Sequence, residues 1–231
     1  MLPPAARIRA ITLDLDDTLW PIAPTIMRAE AALAAWMQEH APRVAERFDV
    51  PATQALRAAV AADCPERAHD LTAMRCETIR RMLATSGEDE ALMPAAFDVF
   101  FAARQNVELY ADVQEALERL SARWPLLALT NGNADLERIG LARWFKGCLR
   151  AHEVGVGKPD RRMFAAASAR LGCEPGDVLH AGDDLLLDVQ GALAAGMHAA
   201  WVRRTGDELP SGALSCWHGP DLLRLAEGLG V

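Results

Sequence analysis

The chain has 231 residues, 51% apolar and 24% charged, which suits one large domain or a domain carrying an insert and excludes wholesale disorder. Its formal net charge of −8 argues against nucleic acid or an anionic membrane as the main partner, and leaves room for a basic pocket that takes a small anion. Five scattered cysteines without a CxxC spacing predict a reduced, cytoplasmic chain; no apolar run approaches the roughly 18 residues of a spanning helix, and MLPPAARIRA lacks the apolar stretch expected of a signal peptide.

The first predicted element is an apolar strand from Ile8 to Leu13, which runs straight into three carboxylates, Asp14, Asp16 and Asp17. Residues 21 to about 105 then show no strand and at least three helical patterns. Ile26, Ala29, Leu33, Trp36 and Met37 form one stripe; Leu71, Met74, Thr78, Ile79 and Met82 form another; residues 90–104 supply a third. This stretch reads as a helical insert, so the expected domains are 1–20 with 106–231, and 21–105. Next comes a helix over 112–122, with Val113, Ala116, Leu117 and Leu120 on one face and Asp112 and Glu115 spaced as a capping box.

Four further short apolar runs stop at polar residues: WPLLALTNGN (124–133), CLRAHEVGVGKPD (148–160), DVLHAGDD (177–184) and MHAAWVRR (197–204). They alternate with helices at 160–171, closed by Gly172, and 188–195, closed by Gly196. Continuous apolar strands that alternate with helices predict an α/β fold: a doubly wound, Rossmann-like parallel sheet with an inserted all-helical domain.

Ligands of such a sheet bind beyond the carboxyl ends of its strands. Those ends collect Asp14, Asp16 and Thr18; Thr130, Asn131 and Gly132; Lys158; and Asp183, Asp184 and Asp188. Carboxylates this close repel one another unless a cation lies among them, and a hard divalent ion bound by oxygens would relieve the strain. Position excludes other motifs. An EF-hand starting at Asp14 would need glycine and glutamate where Leu19 and Thr25 stand; HExxH fails at Val156; GxxxxGK[ST] and GxSxG are absent. Asp17 reads as solvated or capping, Asp184 as a helix N-cap or a site residue, and His152, His180 and His198 as structural. Trp20 and Trp36 read as packing, with Trp20 a candidate for the site entrance.

DxDxT after the first strand, a threonine closing the next core strand, a lysine before proline and GDDxxxD after a later strand resemble the haloacid dehalogenase-like hydrolases along the whole core. The resemblance implies a phosphatase that uses Mg2+. Asp14 would be the nucleophile that forms an aspartyl-phosphate, and Asp16 the general acid and base, an aspartate the dehalogenases of the family lack. Thr18 would brace the loop. Thr130 and the Asn131 N–H, with Gly132, would hold phosphoryl oxygens, and Lys158 would pair with phosphate and Asp14. The metal would meet Asp14, Asp183 and the backbone carbonyl of Asp16, and one of Asp184 and Asp188 would orient Lys158 or metal water. The insert would be a cap selecting small soluble phosphate esters.

RWPLLALTNGN, VLHAGDDLLLDVQGALAAGM and AAWVRR, with HDLTAMR (69–75) in the insert, are similar to the bacterial branch that acts on FMN or on 5-amino-6-(5-phospho-D-ribitylamino)uracil, in riboflavin biosynthesis. Sugar phosphates, nucleoside monophosphates and phosphomutase chemistry are the alternatives. Within the insert, His69, Thr72 and Cys76 are expected on one helical face with Arg75 at its edge, His69 and Arg75 being candidate substrate ligands.

Overall fold

The computed structural model describes residues 2–204 and 216–231. Two compact units emerge, one of residues 1–21 with 108–231 and one of 22–107.

In chain order the first unit opens with β1 (Ala10–Leu13), all four residues of which are buried. The helical unit follows with α1 (Ile22–His40), α2 (Pro42–Arg47), α3 (Val50–Asp63), α4 (Leu71–Ser86) and α5 (Met93–Arg104). The chain returns through α6 (Val113–Arg123), β2 (Leu126–Thr130), the short α7 (Leu136–Ile139), β3 (Phe145–Arg150) and the short α8 (Ala151–Val154). It ends with α9 (Arg161–Leu171), β4 (Val178–Gly182), a π-helical turn over Leu185–Gln190 leading into α10 (Gly191–Ala194), β5 (His198–Val202), β6 (Trp217–Gly219) and α11 (Leu222–Gly228).

Every strand pairing is parallel, in the order β3-β2-β1-β4-β5-β6. This is a doubly wound sheet. Chain direction across it reverses at β1, so the carboxyl ends of β1 and β4 form the crevice where such sheets hold ligands. The register puts Leu13 beside Ala181, and the Asp14 N–H donates to the Ala181 carbonyl at 2.9 Å, which brings the acidic ends of both strands together. Central strands β1, β2 and β4 are buried throughout, as their unbroken apolar runs require, whereas edge strand β3 is only partly covered. β3 starts at Phe145, before the apolar run expected from 148, and β6 has only three residues, too few to show a period.

Leu171 and Gly172 end α9 as expected, the glycine adopting the left-handed φ of 63° that a side chain would resist. The capping box at Asp112 does not form. Asp112 turns away from its own helix: Arg204 donates to it at 2.6 Å and the Leu222 N–H at 2.9 Å. A buried guanidinium outcompetes a helix end that water can satisfy.

In the helical unit Ala29, Leu33, Met37, Ile79, Met82 and Phe100 share one apolar core. Leu71, expected in the α4 stripe, is 49% exposed, because it is the first residue of the helix. No helix among the described residues is long and apolar enough to cross a membrane.

Candidate active site

Asp14 follows β1 and is buried, yet it keeps a carboxylate in an apolar strand end. Lys158 explains how. Its Nζ donates to Asp14 Oδ1 at 2.5 Å and to Asp188 Oδ1 at 2.6 Å, and all three side chains are at most 10% exposed. Thr18 Oγ1 lies 2.8 Å from Asp183 Oδ1 and 3.2 Å from Asp14 Oδ2, so its single hydrogen can serve either carboxylate, with Asp183 the nearer. Asp14 is thereby held at Oδ1 by Lys158, with the Thr18 hydroxyl within reach of Oδ2.

Two carboxylates on one ammonium leave a negative excess, and Asp183 adds to it. Burial lifts the Asp14 carboxyl well above the usual range; Lys158 opposes this, while Asp188 and Asp183 add to it. Burial is also the main cause that brings Asp183 up to about 6. Burial works against charge on Asp188 too, but Lys158 and His180 overcome it and hold that carboxyl below its ordinary value. Lys158 stays charged: burial pulls it down, and the two carboxylates more than offset that. Carboxylate oxygens of Asp14, Asp183 and Asp188 lie within 4.8 Å of one another, a donor set that a hard cation fits.

Asp16 is not part of that trio. The indole N–H of Trp20 donates to its Oδ1 at 2.9 Å, and residues 16 and 20 are bridged along the backbone across a turn in which Asp17 has φ 58°. Trp20 is fully buried, so it does not line an entrance; it holds Asp16. Asp184 caps the π-helical turn, accepting the Leu186 and Leu187 N–H groups at 2.7 and 2.8 Å. Asp188 is thus the residue of that pair that orients Lys158.

Behind Asp188 stands His180. Its Nε2 lies 3.1 Å from Asp188 Oδ1 and its Nδ1 2.8 Å from Thr12 Oγ1. Burial holds its pKa below the ordinary value despite Asp188, so the ring is neutral, with Nε2–H donating to the carboxylate and Nδ1 accepting the Thr12 hydroxyl. Gly182 makes room for this arrangement: a Cβ there would lie 2.3 Å from the Asp188 carboxyl carbon.

At the end of β2, Asn131 clamps the lysine loop. Its Oδ1 accepts the Lys158 N–H at 2.7 Å and its Nδ2 donates to the Lys158 carbonyl at 2.9 Å. A Cβ on Gly157 would approach Asn131 Oδ1 to 2.7 Å, so glycine is required there. The Gly132 N–H donates to Thr130 Oγ1 at 2.9 Å and therefore organises the loop itself. Arg204, which the sequence pattern did not single out, donates twice to the Thr18 carbonyl at 3.0 and 2.8 Å and lies 4.3 Å over the Tyr110 ring. Trp201 donates to the Asp183 carbonyl at 2.7 Å. The loops carrying Asp14, Asp183 and Lys158 are each tied by a side chain from elsewhere in the chain: Arg204, Trp201 and Asn131.

Residues 8–196 match the haloacid dehalogenase-like hydrolase family. The chain belongs to that family. This hydrolase is 37% identical over 210 residues to the 5-amino-6-(5-phospho-D-ribitylamino)uracil phosphatase YigB of Escherichia coli, covering 89% of this chain and 88% of that protein. It is 40% identical over 113 residues to a phosphoserine phosphatase of Thermus thermophilus, 46% of this chain and 45% of that one. Among solved structures, one described as a 2-haloacid dehalogenase from Pseudomonas syringae superposes with a TM-score of 0.90 at 35% identity, covering 96% and 98% of the two chains. The enzyme is a phosphatase of the family.

In the helical unit of this hydrolase the expected polar face is rearranged. Asp70 caps α4, accepting the Ala73 N–H at 2.9 Å, so His69 precedes the helix and shares no helical face with Thr72 and Cys76. Arg75 lies 4.0 Å over the Phe100 ring and pairs with Glu30 at 2.8 Å, which commits its guanidinium inside the unit.

Proposed function

We propose that this hydrolase is a Mg2+-dependent phosphate monoesterase that works through an aspartyl-phosphate on FMN or 5-amino-6-(5-phospho-D-ribitylamino)uracil. The observation that carries the chemistry is Asp14, buried at the end of β1, held at Oδ1 by Lys158 and with the Thr18 hydroxyl beside Oδ2. A carboxylate is a weak nucleophile, and fixed orientation is what raises its rate. An Asp14 oxygen attacks phosphorus while the ester P–O bond breaks, and Asp16 gives its proton to the departing alkoxide. Asp16 then takes a proton from water, which attacks phosphorus and returns Asp14 and inorganic phosphate.

Lys158 carries the positive charge that meets the phosphoryl group, and Asp188 with His180 keeps its Nζ in place. Thr130 and the Asn131 N–H are the proposed phosphoryl donors. Asp14, Asp183 and the Asp16 carbonyl are the proposed Mg2+ ligands; the ion, when bound, neutralises charge on the transferring group. The helical unit is the proposed specificity cap, with Arg75 left to its pairing with Glu30 and His69 as the remaining candidate contact. Five free cysteines fit a cytoplasmic protein.

The flavin-related substrate rests on the likeness to YigB over 89% of the chain. A phosphate-release screen with Mg2+ tests it, using FMN, the ribitylaminouracil phosphate, sugar phosphates and nucleoside monophosphates, with 2-chloropropionate as the dehalogenase control. The expected result is a kcat/KM for a flavin-related ester at least about tenfold above the others, and no halide release. A sugar phosphate or nucleotide at the head of the series would overturn the substrate; halide release would overturn the reaction. Asp16, held by Trp20, supports phosphate chemistry, since the family's dehalogenases lack that carboxylate.

A further inference from the structure

AAWVRR, residues 199–204, forms most of β5 and the two residues after it, and the proposed chemistry uses none of its side chains. β5 lies two places from β1 in the sheet, with β4 between them. Two long side chains of this segment nevertheless reach main-chain carbonyls of the acidic loops. The Trp201 indole N–H donates to the carbonyl of Asp183 at 2.7 Å. Arg204 donates to the carbonyl of Thr18 from Nε at 3.0 Å and from Nη2 at 2.8 Å. Asp183 and Thr18 are themselves a pair, the hydroxyl lying 2.8 Å from Asp183 Oδ1. One strand therefore holds both members of that pair by the main chain, and their side chains close the ring.

The hold is directional. The Arg204 guanidinium is planar, and Asp112 fixes its rotation by accepting Nη1 and Nη2 at 2.6 and 3.1 Å, one on each oxygen. Asp112 also accepts the Leu222 N–H at 2.9 Å, so the fork is anchored on the start of α11. Arg204 and Asp112 balance each other's charge, and what the guanidinium adds at Thr18 is orientation. Thr18 is fully buried and β-branched, with a stiff first side-chain torsion, so fixing its carbonyl fixes where its hydroxyl points. Mg2+ demands near-ideal octahedral geometry, and the groups that orient its ligands set how well it is held.

We propose that Trp201 and Arg204 are positioning residues of the phosphatase reaction: they set the Asp183 carboxylate, and the Thr18 hydroxyl that meets it, for Mg2+. The inference rests on the reading of Asp183 as a Mg2+ ligand. It adds to that reading two residues that act through main-chain carbonyls and not on the reacting groups.

Calorimetric titration with Mg2+, on the full chain without substrate, reads the placement of Asp183 independently of turnover. Trp201→Phe keeps the packing and removes the indole donor; Arg204→Met keeps the stem and removes the fork. Each should weaken Mg2+ about tenfold, the usual cost of losing a group that orients a metal ligand. The Mg2+ concentration that half-activates hydrolysis of p-nitrophenyl phosphate should rise by the same factor, with KM for the ester little changed. Arg204→Lys restores a charged donor and should recover part of the affinity that Arg204→Met loses. Thr18→Val supplies the decisive comparison: once the hydroxyl is gone, Arg204→Met should weaken Mg2+ no further. A full additional tenfold loss in that background would show that Arg204 acts elsewhere, as a residue needed only for stability would, and would overturn its role. Parent affinity for Mg2+ in both Trp201→Phe and Arg204→Met would overturn the inference and leave Asp183 as a ligand. Asp183→Ala binding Mg2+ as tightly as the parent would instead overturn the ligand reading, and this inference with it. Trp201→Phe leaves every ion pair in place and carries the test where Arg204→Met does not fold.

Discussion

Two clusters of charged side chains in this protein have opposite compositions. At the strand ends Asp14 and Asp188 share one Lys158, and the group is nearly sealed, its side chains 10%, 2% and 3% exposed. In the helical unit Arg57 and Arg75 share one Glu30, and the group is partly open, at 33%, 15% and 29%. The first leaves a negative charge over, the second a positive one. Burial decides what that surplus does. In the sealed cluster it shifts pKa values and makes every partner indispensable; in the open one water screens most of it, at little cost to stability.

The sealed cluster should therefore break hardest. Asp14→Asn should abolish phosphate release, a loss of at least about a thousandfold in kcat, with the fold intact, because Lys158 keeps Asp188 as a partner. Measurable turnover within tenfold of the parent would remove Asp14 from the nucleophile's role. Lys158→Met strands two buried carboxylates, and chemical denaturation should show a loss of about 3–5 kcal/mol in the metal-free protein. An unchanged denaturation midpoint would show that water reaches the cluster.

Mg2+ should raise the melting temperature of the parent and restore activity lost to EDTA, since a cation relieves the repulsion among Asp14, Asp183 and Asp188. The same rise in Asp183→Ala would move the metal elsewhere. Trp20→Phe keeps the packing and deletes the donor to Asp16 Oδ1; kcat should fall about tenfold, the worth of one hydrogen bond to a charged group, with KM little changed. A change in KM alone would reassign Trp20 to substrate binding. The smallest effect belongs to the open cluster: Arg57→Gln should cost less than about 1 kcal/mol by denaturation. A loss as large as that of Lys158→Met would erase the difference between the two clusters.

What the sequence revealed, and what it hid, follows the same division between near and far. Asp14, Thr130, Lys158 and Asp183 could be placed together because each lies in a short motif at or beyond the carboxyl end of a strand, and the parallel sheet brings those ends together. Asp188 differed from Asp184 only once Lys158 and His180 were in place. His180 and Trp20 resembled packing residues, and that is half true: both are buried, and their polar atoms are what matter. His180 meets Thr12 across 168 positions and Arg204 meets Thr18 across 186, distances no local pattern spans. In the helical unit the stripes of α1 and α4 were visible as periods. The end of α4 was not, because one capping bond to Asp70 decided that His69 lies outside the helix.

Rapid-quench mass spectrometry during turnover of a phosphate ester reads the role of Asp14 directly. A phosphoryl group on the peptide carrying Asp14, forming before inorganic phosphate appears and absent in Asp14→Asn, is the expected result. A full burst of phosphate with that peptide unmodified at every quench time, or a phosphoryl group on a different residue, would contradict covalent catalysis by the carboxylate that Lys158 holds.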